Sequence, residues 1–128
     1  GVKVRGYVES LADAFNRASG YVHPARFDAS PVSTIEAMAA NLAPLVTLET
    51  GTRTEAAKIS ERFVLPSNQK SLVSGVSHYL SISPAEQKQF GQEANTIASG
   101  FRKSTSGSRF EDVFNAVLDM SSGFNNSQ

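Results

Sequence analysis

The chain has 128 residues, of which 40% are hydrophobic, and this is enough for one domain with a single core. Twelve basic and twelve acidic side chains cancel, and the basic residues are scattered, which argues against a nucleic-acid partner. The sequence contains no cysteine, which excludes disulfides, thiolate metal sites and cysteine nucleophiles. Since no apolar run approaches the roughly 18 residues of a membrane span, we also expect no membrane partner.

Helix start signals recur along the chain. Each combines a capping residue with a proline or with a glutamate three positions later. These signals are Ser30-Pro31, Thr52 with Glu55, Ser83-Pro84 with Glu86, and Ser108 with Glu111, and Ser67 is a further expected cap. They divide the chain into segments of helical length.

The apolar residues within these segments recur at helical spacing. The predicted stripes are Val4, Val8, Leu11, Phe15 and Ala18; Ile35, Met38, Leu42 and Leu45; Ala56, Ile59 and Phe63; Leu72, Val73, Val76 and Leu80; Phe90, Ala94, Ile97 and Phe101; and Phe110, Val113, Phe114, Val117 and Leu118. The best strand candidate, residues 45–48, could equally extend the second helix. The fold class predicted is therefore all-α, a compact bundle of five or six short helices over residues 1–124, with residues 125–128 as a disordered linker or tail.

Catalytic and metal-binding chemistry finds little support in the sequence. His23 precedes Pro24 in a predicted loop, His78 lies on the exposed side of the fourth helix, and neither has an acidic residue or second histidine at i+3 or i+4. No nucleophile elbow and no phosphate-binding glycine motif occurs. We therefore predict no catalytic residue, no cofactor-binding residue, no metal ligand and no cofactor. Tyr21, Phe27 and Phe124 are the aromatic residues that we expect to contact any partner.

A short pattern occurs twice, as Asp13-Ala14-Phe15-Asn16 and as Asp112-Val113-Phe114-Asn115. The second copy lies within residues 110–118, an aromatic-centred helix pattern that, together with residues 72–76, resembles the folded repetitive domains of spider silk proteins, the spidroins. The charge and glutamine content is most similar to a pyriform (attachment silk) repeat, and an aciniform repeat is the second choice.

The resemblance implies a structural function. It describes a secreted, extracellular repeat unit, soluble as a helical bundle, which assembles into a fibre or adhesive matrix by self-association with other copies. Such a unit is not an enzyme and binds no small-molecule substrate. Two alternatives stay open: a helical adaptor module that binds a protein partner in a groove between helices, and a small helical enzyme or ligand carrier with a buried pocket.

Overall fold

The computed structural model describes residues 1–101 and Asn115. Gly1–Ala98 form one compact unit and Ser99–Gln128 another. Within the second unit, Ser99–Phe101 form a 3-10 turn, and Asn115 is helical and exposed. The rest of the predicted sixth helix, Phe124 and the predicted tail from 125 to 128 lie outside the described residues, and the domain boundary at residue 124 stays a prediction.

The first unit combines helices with a parallel sheet. Its elements are α1 (Leu11–Phe15), β1 (Tyr21–His23), α2 (Val32–Ala39), β2 (Pro44–Thr47), α3 (Arg53–Ile59), β3 (Val64–Leu65), α4 (Gln69–Ser81) and α5 (Pro84–Ala98), with a 3-10 turn at Glu61–Phe63. The predicted all-α fold is wrong, because the three strands pair side by side in the order β1-β2-β3. No described helix is long and apolar enough to cross a membrane.

The central strand explains why the sheet escapes detection in the sequence. Every residue of β2 is buried, so β2 has no polar–apolar alternation, and a short run of this kind cannot be distinguished from a helix segment by periodicity. In the paired register Val22 lies opposite Leu45, and Val46 lies opposite Val64. Residues 45–48 are thus largely a strand and do not extend the second helix.

Because all three strands run in the same direction, each connection must cross over the sheet, and α2 and α3 provide these two crossovers. The carboxyl ends of the strands consequently meet at one edge. In open α/β sheets, this is the edge where ligands bind. The two loops that follow β1 and β2 lie there and define the region described below.

The core has two clusters, one between α2 and α5 and the other around the sheet. Met38 of α2 is fully buried against Ala94 and Ala98 of α5. The two helices approach closely because Gly91 has no side chain, since a Cβ at this position would lie 2.1 Å from the carbonyl oxygen of Asn41. The second cluster contains the sheet residues Leu45, Val46 and Leu65 together with Ala43, Ala56, Phe63 and Tyr79.

The predicted helix starts are correct in position more often than in the residue that makes the capping hydrogen bond. α5 begins after Ser83, whose Oγ accepts the backbone N–H of Glu86 at 3.2 Å, as predicted. α4 begins after Asn68, not Ser67, and the Asn68 side chain accepts the N–H of Ser71 at 2.9 Å. α3 begins after Thr52, but the Thr52 side chain makes no capping hydrogen bond and its hydroxyl is buried without a partner.

The first apolar stripe is mostly wrong. Only Leu11–Phe15 are helical, while residues 1–10 have no regular structure and are largely exposed. On α4 the stripe also has the wrong phase, because Val73 and Leu80 are exposed and Tyr79 is buried instead. The predicted stripe does not include Tyr79, although a tyrosine ring is large enough to dominate a core.

Candidate functional site

The loops at residues 24–31 and 48–52 are joined to each other at the carboxyl edge of the sheet. The N–H of Asp28 donates to the carbonyl of Glu49 at 3.2 Å, and the N–H of Gly51 donates to the carbonyl of Asp28 at 2.7 Å. Both backbone groups of Asp28 are thus paired with the loop after β2. The position of Asp28 therefore depends on the second loop as much as on its own.

Gly51 allows this approach. A Cβ at position 51 would lie 1.7 Å from the carbonyl oxygen of Ala29, which is backbone and cannot rotate away. Buried hydroxyls support the same junction, since Thr47 donates to the carbonyl of Ala25 and its Oγ1 lies 2.9 Å from that of Thr50. Small residues and hydroxyls thus hold the two loops together.

Four side chains form a continuous hydrogen-bonded row beside this junction. Ser33 Oγ lies 2.8 Å from the hydroxyl of Tyr21, which lies 3.2 Å from Nδ1 of His23, and His23 Nε2 lies 2.9 Å from Oδ2 of Asp28. With a neutral ring, His23 donates from Nε2 to the carboxylate and accepts the Tyr21 proton at Nδ1. The row links the end of β1 to the first turn of α2.

Asp28 keeps part of its hydrogen-bonding capacity. Its Oδ1 accepts the backbone N–H of Ser30 at 3.2 Å, and its side chain remains 36% exposed. A carboxylate offers about four acceptor positions, so lone pairs remain for a hydroxyl-bearing ligand. The His23 side chain, at 19% exposure, lies deeper and holds the carboxylate in place.

The N-terminus of α2 lies next to this carboxylate in the chain. Pro31 occupies the cap position and makes no side-chain capping bond, so the predicted cap by Ser30 is absent. The first N–H groups of a helix have no acceptor within the helix, and together with the helix dipole they favour an anion. The N–H of Thr34 donates to the carbonyl of Pro31 at 3.2 Å, so α2 presents the N–H groups of Val32 and Ser33 as uncapped donors at the ligand-binding edge of the sheet.

The two histidines differ from each other in their surroundings. His78 is exposed on α4, as predicted, and its Nε2 lies 3.3 Å from a guanidinium nitrogen of Arg62. His23 is not in a loop but is the last residue of β1. Its acidic partner, Asp28, follows five positions later in the chain, outside the i+3 and i+4 spacings of a helix. Asp28 is the residue that sequence reasoning missed, and no local pattern marks it, because its partners come from β1 and from the loop after β2.

Other expected residues lie apart from this row or outside the described residues. Tyr21 is part of the row, Phe27 is 81% exposed, and Phe124 is not described. Within the described part of the chain, no group of three or more histidine, aspartate and glutamate side chains could hold a metal ion. The prediction of no catalytic, cofactor-binding or metal-binding residue remains untested.

Comparison with known proteins identifies a family. A sequence model of the family described as "Glycosyl transferases group 1" matches residues 1–96 of the 128 residues. No curated protein and no solved structure matches the chain. The matched segment includes the whole sheet and both loops of the carboxyl edge.

The family match overturns the predicted identity and function. The spidroin resemblance is wrong, as are the silk-type structural role, the helical adaptor alternative and the prediction that the chain is not an enzyme. Self-association and secretion stay predictions, since neither is addressed by the match or by the structure. With three quarters of its length covered by the family, the chain belongs to the glycosyl transferases of group 1.

Proposed function

We propose that this chain binds the donor of a glycosyl transfer reaction at the carboxyl edge of its sheet. The donor is a sugar whose leaving group is a phosphate or diphosphate. The observation that carries the proposal is the placement of Asp28, which two loops and His23 hold beside the uncapped N-terminus of α2. One part of this arrangement suits an anion, and the other suits sugar hydroxyls.

In glycosyl transfer, the bond between the anomeric carbon and the leaving-group oxygen breaks, and that oxygen takes the electron pair. A new bond forms between the anomeric carbon and an acceptor hydroxyl, whose proton passes to a base. Negative charge therefore grows on the leaving group as the reaction proceeds. Hydrogen-bond donors that already point at this charge stabilise the transition state.

The N-terminus of α2 supplies such donors. Its free N–H groups and dipole bind phosphate oxygens without any cationic side chain. Ser33 in the first turn adds a hydroxyl that is already held in place by Tyr21. We assign the leaving-group phosphate to this turn.

Asp28 suits the sugar. An ionised carboxylate only accepts hydrogen bonds, so it binds hydroxyl groups and repels a phosphate placed against it. His23 acts through Asp28 and is not assigned as a base, because both of its ring nitrogens are already engaged, with Tyr21 and with Asp28. Its role is to position the carboxylate.

The substitution Asp28→Asn tests the proposal in the intact protein. A panel of nucleoside diphosphate sugars is titrated by calorimetry, and one member should bind the wild type. Since a hydrogen bond to a charged group contributes about 1.5–3 kcal/mol, Asp28→Asn should weaken the binding by about tenfold or more. The corresponding free nucleoside diphosphate should be affected less, because it lacks the sugar.

Asp13→Asn provides a matched control. Asp13 is an exposed aspartate in the first turn of α1, where its carboxylate has no role in the proposed site. This variant should bind the donor like the wild type. Unchanged donor affinity in Asp28→Asn, with the fold verified by circular dichroism, would contradict the proposal, as would failure of every phosphate-activated sugar to bind the wild type.

A further inference from the structure

A groove on a different part of the first unit has cationic groups and no carboxylate in its lining. It lies along β3 and α4 and has a volume of about 860 Å³. Its lining includes Arg62, Lys70, Ser71, Ser74, Gly75 and His78. The chain as a whole carries equal numbers of acidic and basic side chains, so this lining is a local departure from neutrality.

Arg62 and His78 form one end of the groove. Their nearest nitrogens lie 3.3 Å apart, and both residues are exposed. When the imidazole of His78 is neutral, the guanidinium of Arg62 donates one hydrogen bond to it. The other N–H groups of the guanidinium remain available to a ligand. The neutral ring then carries its proton on Nδ1 and can donate from there to one phosphate oxygen, while the guanidinium binds a neighbouring oxygen of the same phosphate.

The other end of the groove lies at the start of α4. Lys70 is eight residues before His78, about 12 Å away along the helix axis. Between them the wall carries the hydroxyls of Ser71 and Ser74. Gly75 lets the side chain of Leu65 pack directly against the backbone of α4. The positive end of the α4 dipole adds to the charge of Lys70. Hydrogen-bond donors thus continue along the length of the groove.

We propose that this groove is a binding site for a phosphate group, with Arg62 and His78 as its main ligands and Lys70 as an accessory cation. The inference does not depend on the proposed donor site, which uses α2 and the carboxyl ends of β1 and β2. The phosphate belongs either to a soluble phosphate ester or to a phospholipid headgroup. These two sources share the chemistry that the groove recognises.

One carboxylate competes for the same cations. Glu86 lines a smaller adjacent cavity together with Arg62 and His78, and it also accepts from Ser83 at the start of α5. No ion pair joins it to Arg62 in the described structure. Its negative charge should nevertheless weaken phosphate binding, so Glu86→Gln should strengthen it.

The test is an NMR titration of the whole chain with pyrophosphate. The backbone amides of Ser71 and Ser74 report on the groove, and those of Ser30 and Ser33 report on the α2 edge. Saturable shifts at Ser71 and Ser74 support the proposal. Shifts confined to Ser30 and Ser33 place the anion at α2 only and overturn it.

Substitutions identify the ligands. Arg62→Gln should weaken pyrophosphate binding at the groove about tenfold, the change expected from losing one charged hydrogen-bond donor. Lys70→Gln should have a smaller effect, whereas Lys88→Gln, an exposed lysine on α5 outside the groove, should have none. If Arg62→Gln impairs folding, the opposite effects of Lys70→Gln and Glu86→Gln still decide the question.

Vesicles separate the two sources. Sedimentation with phosphatidylcholine vesicles, with and without phosphatidic acid, is compared with the pyrophosphate titration. Arg62-dependent binding to pyrophosphate alone indicates a soluble phosphate ester, and Arg62-dependent binding to the acidic vesicles indicates a lipid headgroup. Binding to neither, or binding that Lys88→Gln reduces as much as Lys70→Gln, would show that the groove is not a phosphate site.

Discussion

The substitution Gly51→Ala tests whether the junction of the two loops holds the fold and the proposed site together. A methyl group at position 51 would lie 1.7 Å from the carbonyl oxygen of Ala29 and 2.6 Å from its carbonyl carbon, so the loops must separate. The hydrogen bonds from Gly51 to Asp28 and from Asp28 to Glu49 would then lengthen or break.

The magnitude follows from these contacts. Two backbone hydrogen bonds contribute about 1 kcal/mol each, and forced overpacking costs about 1–3 kcal/mol. Because the loops can relax and replace part of the bonding with water, we expect Gly51→Ala to lower the free energy of unfolding by about 2–4 kcal/mol. The measurement is urea denaturation of the whole chain, with the m-value compared to confirm that the denatured state is unchanged.

Gly75→Ala is the matched control, because its added Cβ would also collide. The nearest atom, 2.5 Å away, is the Cδ2 of Leu65, the end of a side chain that can rotate. The better helix propensity of alanine offsets part of the strain, so the net change should stay within about 1 kcal/mol. If Gly51→Ala is as stable as Gly75→Ala and still binds the donor, the loop junction does not have the role given to it here.

Two further predictions concern the second core cluster. Burial raises the pKa of the Tyr79 phenol above its ordinary value near 10. The folded chain therefore holds this proton more tightly than the unfolded chain does, and the free energy of unfolding should fall as the pH rises above about 10. Tyr79→Phe should remove this pH dependence. Below pH 10 it should lower the free energy of unfolding by about 1 kcal/mol, because the hydrogen bond to the Ser19 carbonyl is lost. Urea denaturation from pH 8 to 11 measures both effects, and an equal alkaline loss of stability in the two proteins would refute the prediction. Phe63 is buried, and its ring packs edge-to-face against that of Phe90 with the ring centroids 5.0 Å apart. Phe63→Ala should therefore lower the free energy of unfolding by about 3–5 kcal/mol in the same assay. Phe27→Ala, at an exposed position, should change it by less than about 0.5 kcal/mol.

Some local signals in the sequence predict local structure correctly. Ser83 and Pro84 mark the start of α5 because capping depends on residues within one turn of each other. The apolar spacing around Ile35 and Met38 predicts α2 for the same reason. The parallel sheet depends on pairing between distant segments, and none of its strands exceeds four residues. Strands this short give no periodic signal, and β2 is buried throughout, so the predicted fold consists of helices alone.

The site was missed for a related reason. Neither histidine has an acidic partner one helical turn away in the sequence, but His23 lies in a strand and meets Asp28 through a loop. The resemblance to a silk repeat rested on short aromatic patterns such as Asp13 to Asn16, which any amphipathic helix of this composition can show. A pattern that core packing explains equally well carries little information about function.

The shortness of the strands has a consequence for the site itself. A sheet with strands of three, four and two residues makes few ladder hydrogen bonds, so the strands alone cannot fix the loops at their ends. The rigidity of Asp28 must come instead from Gly51, Glu49 and the row that begins at His23. These contacts use side chains and backbone that are separate from the core cluster around Phe63. Loss of donor binding with little loss of stability should therefore follow from changes at Asp28, and loss of both should follow from changes at Gly51.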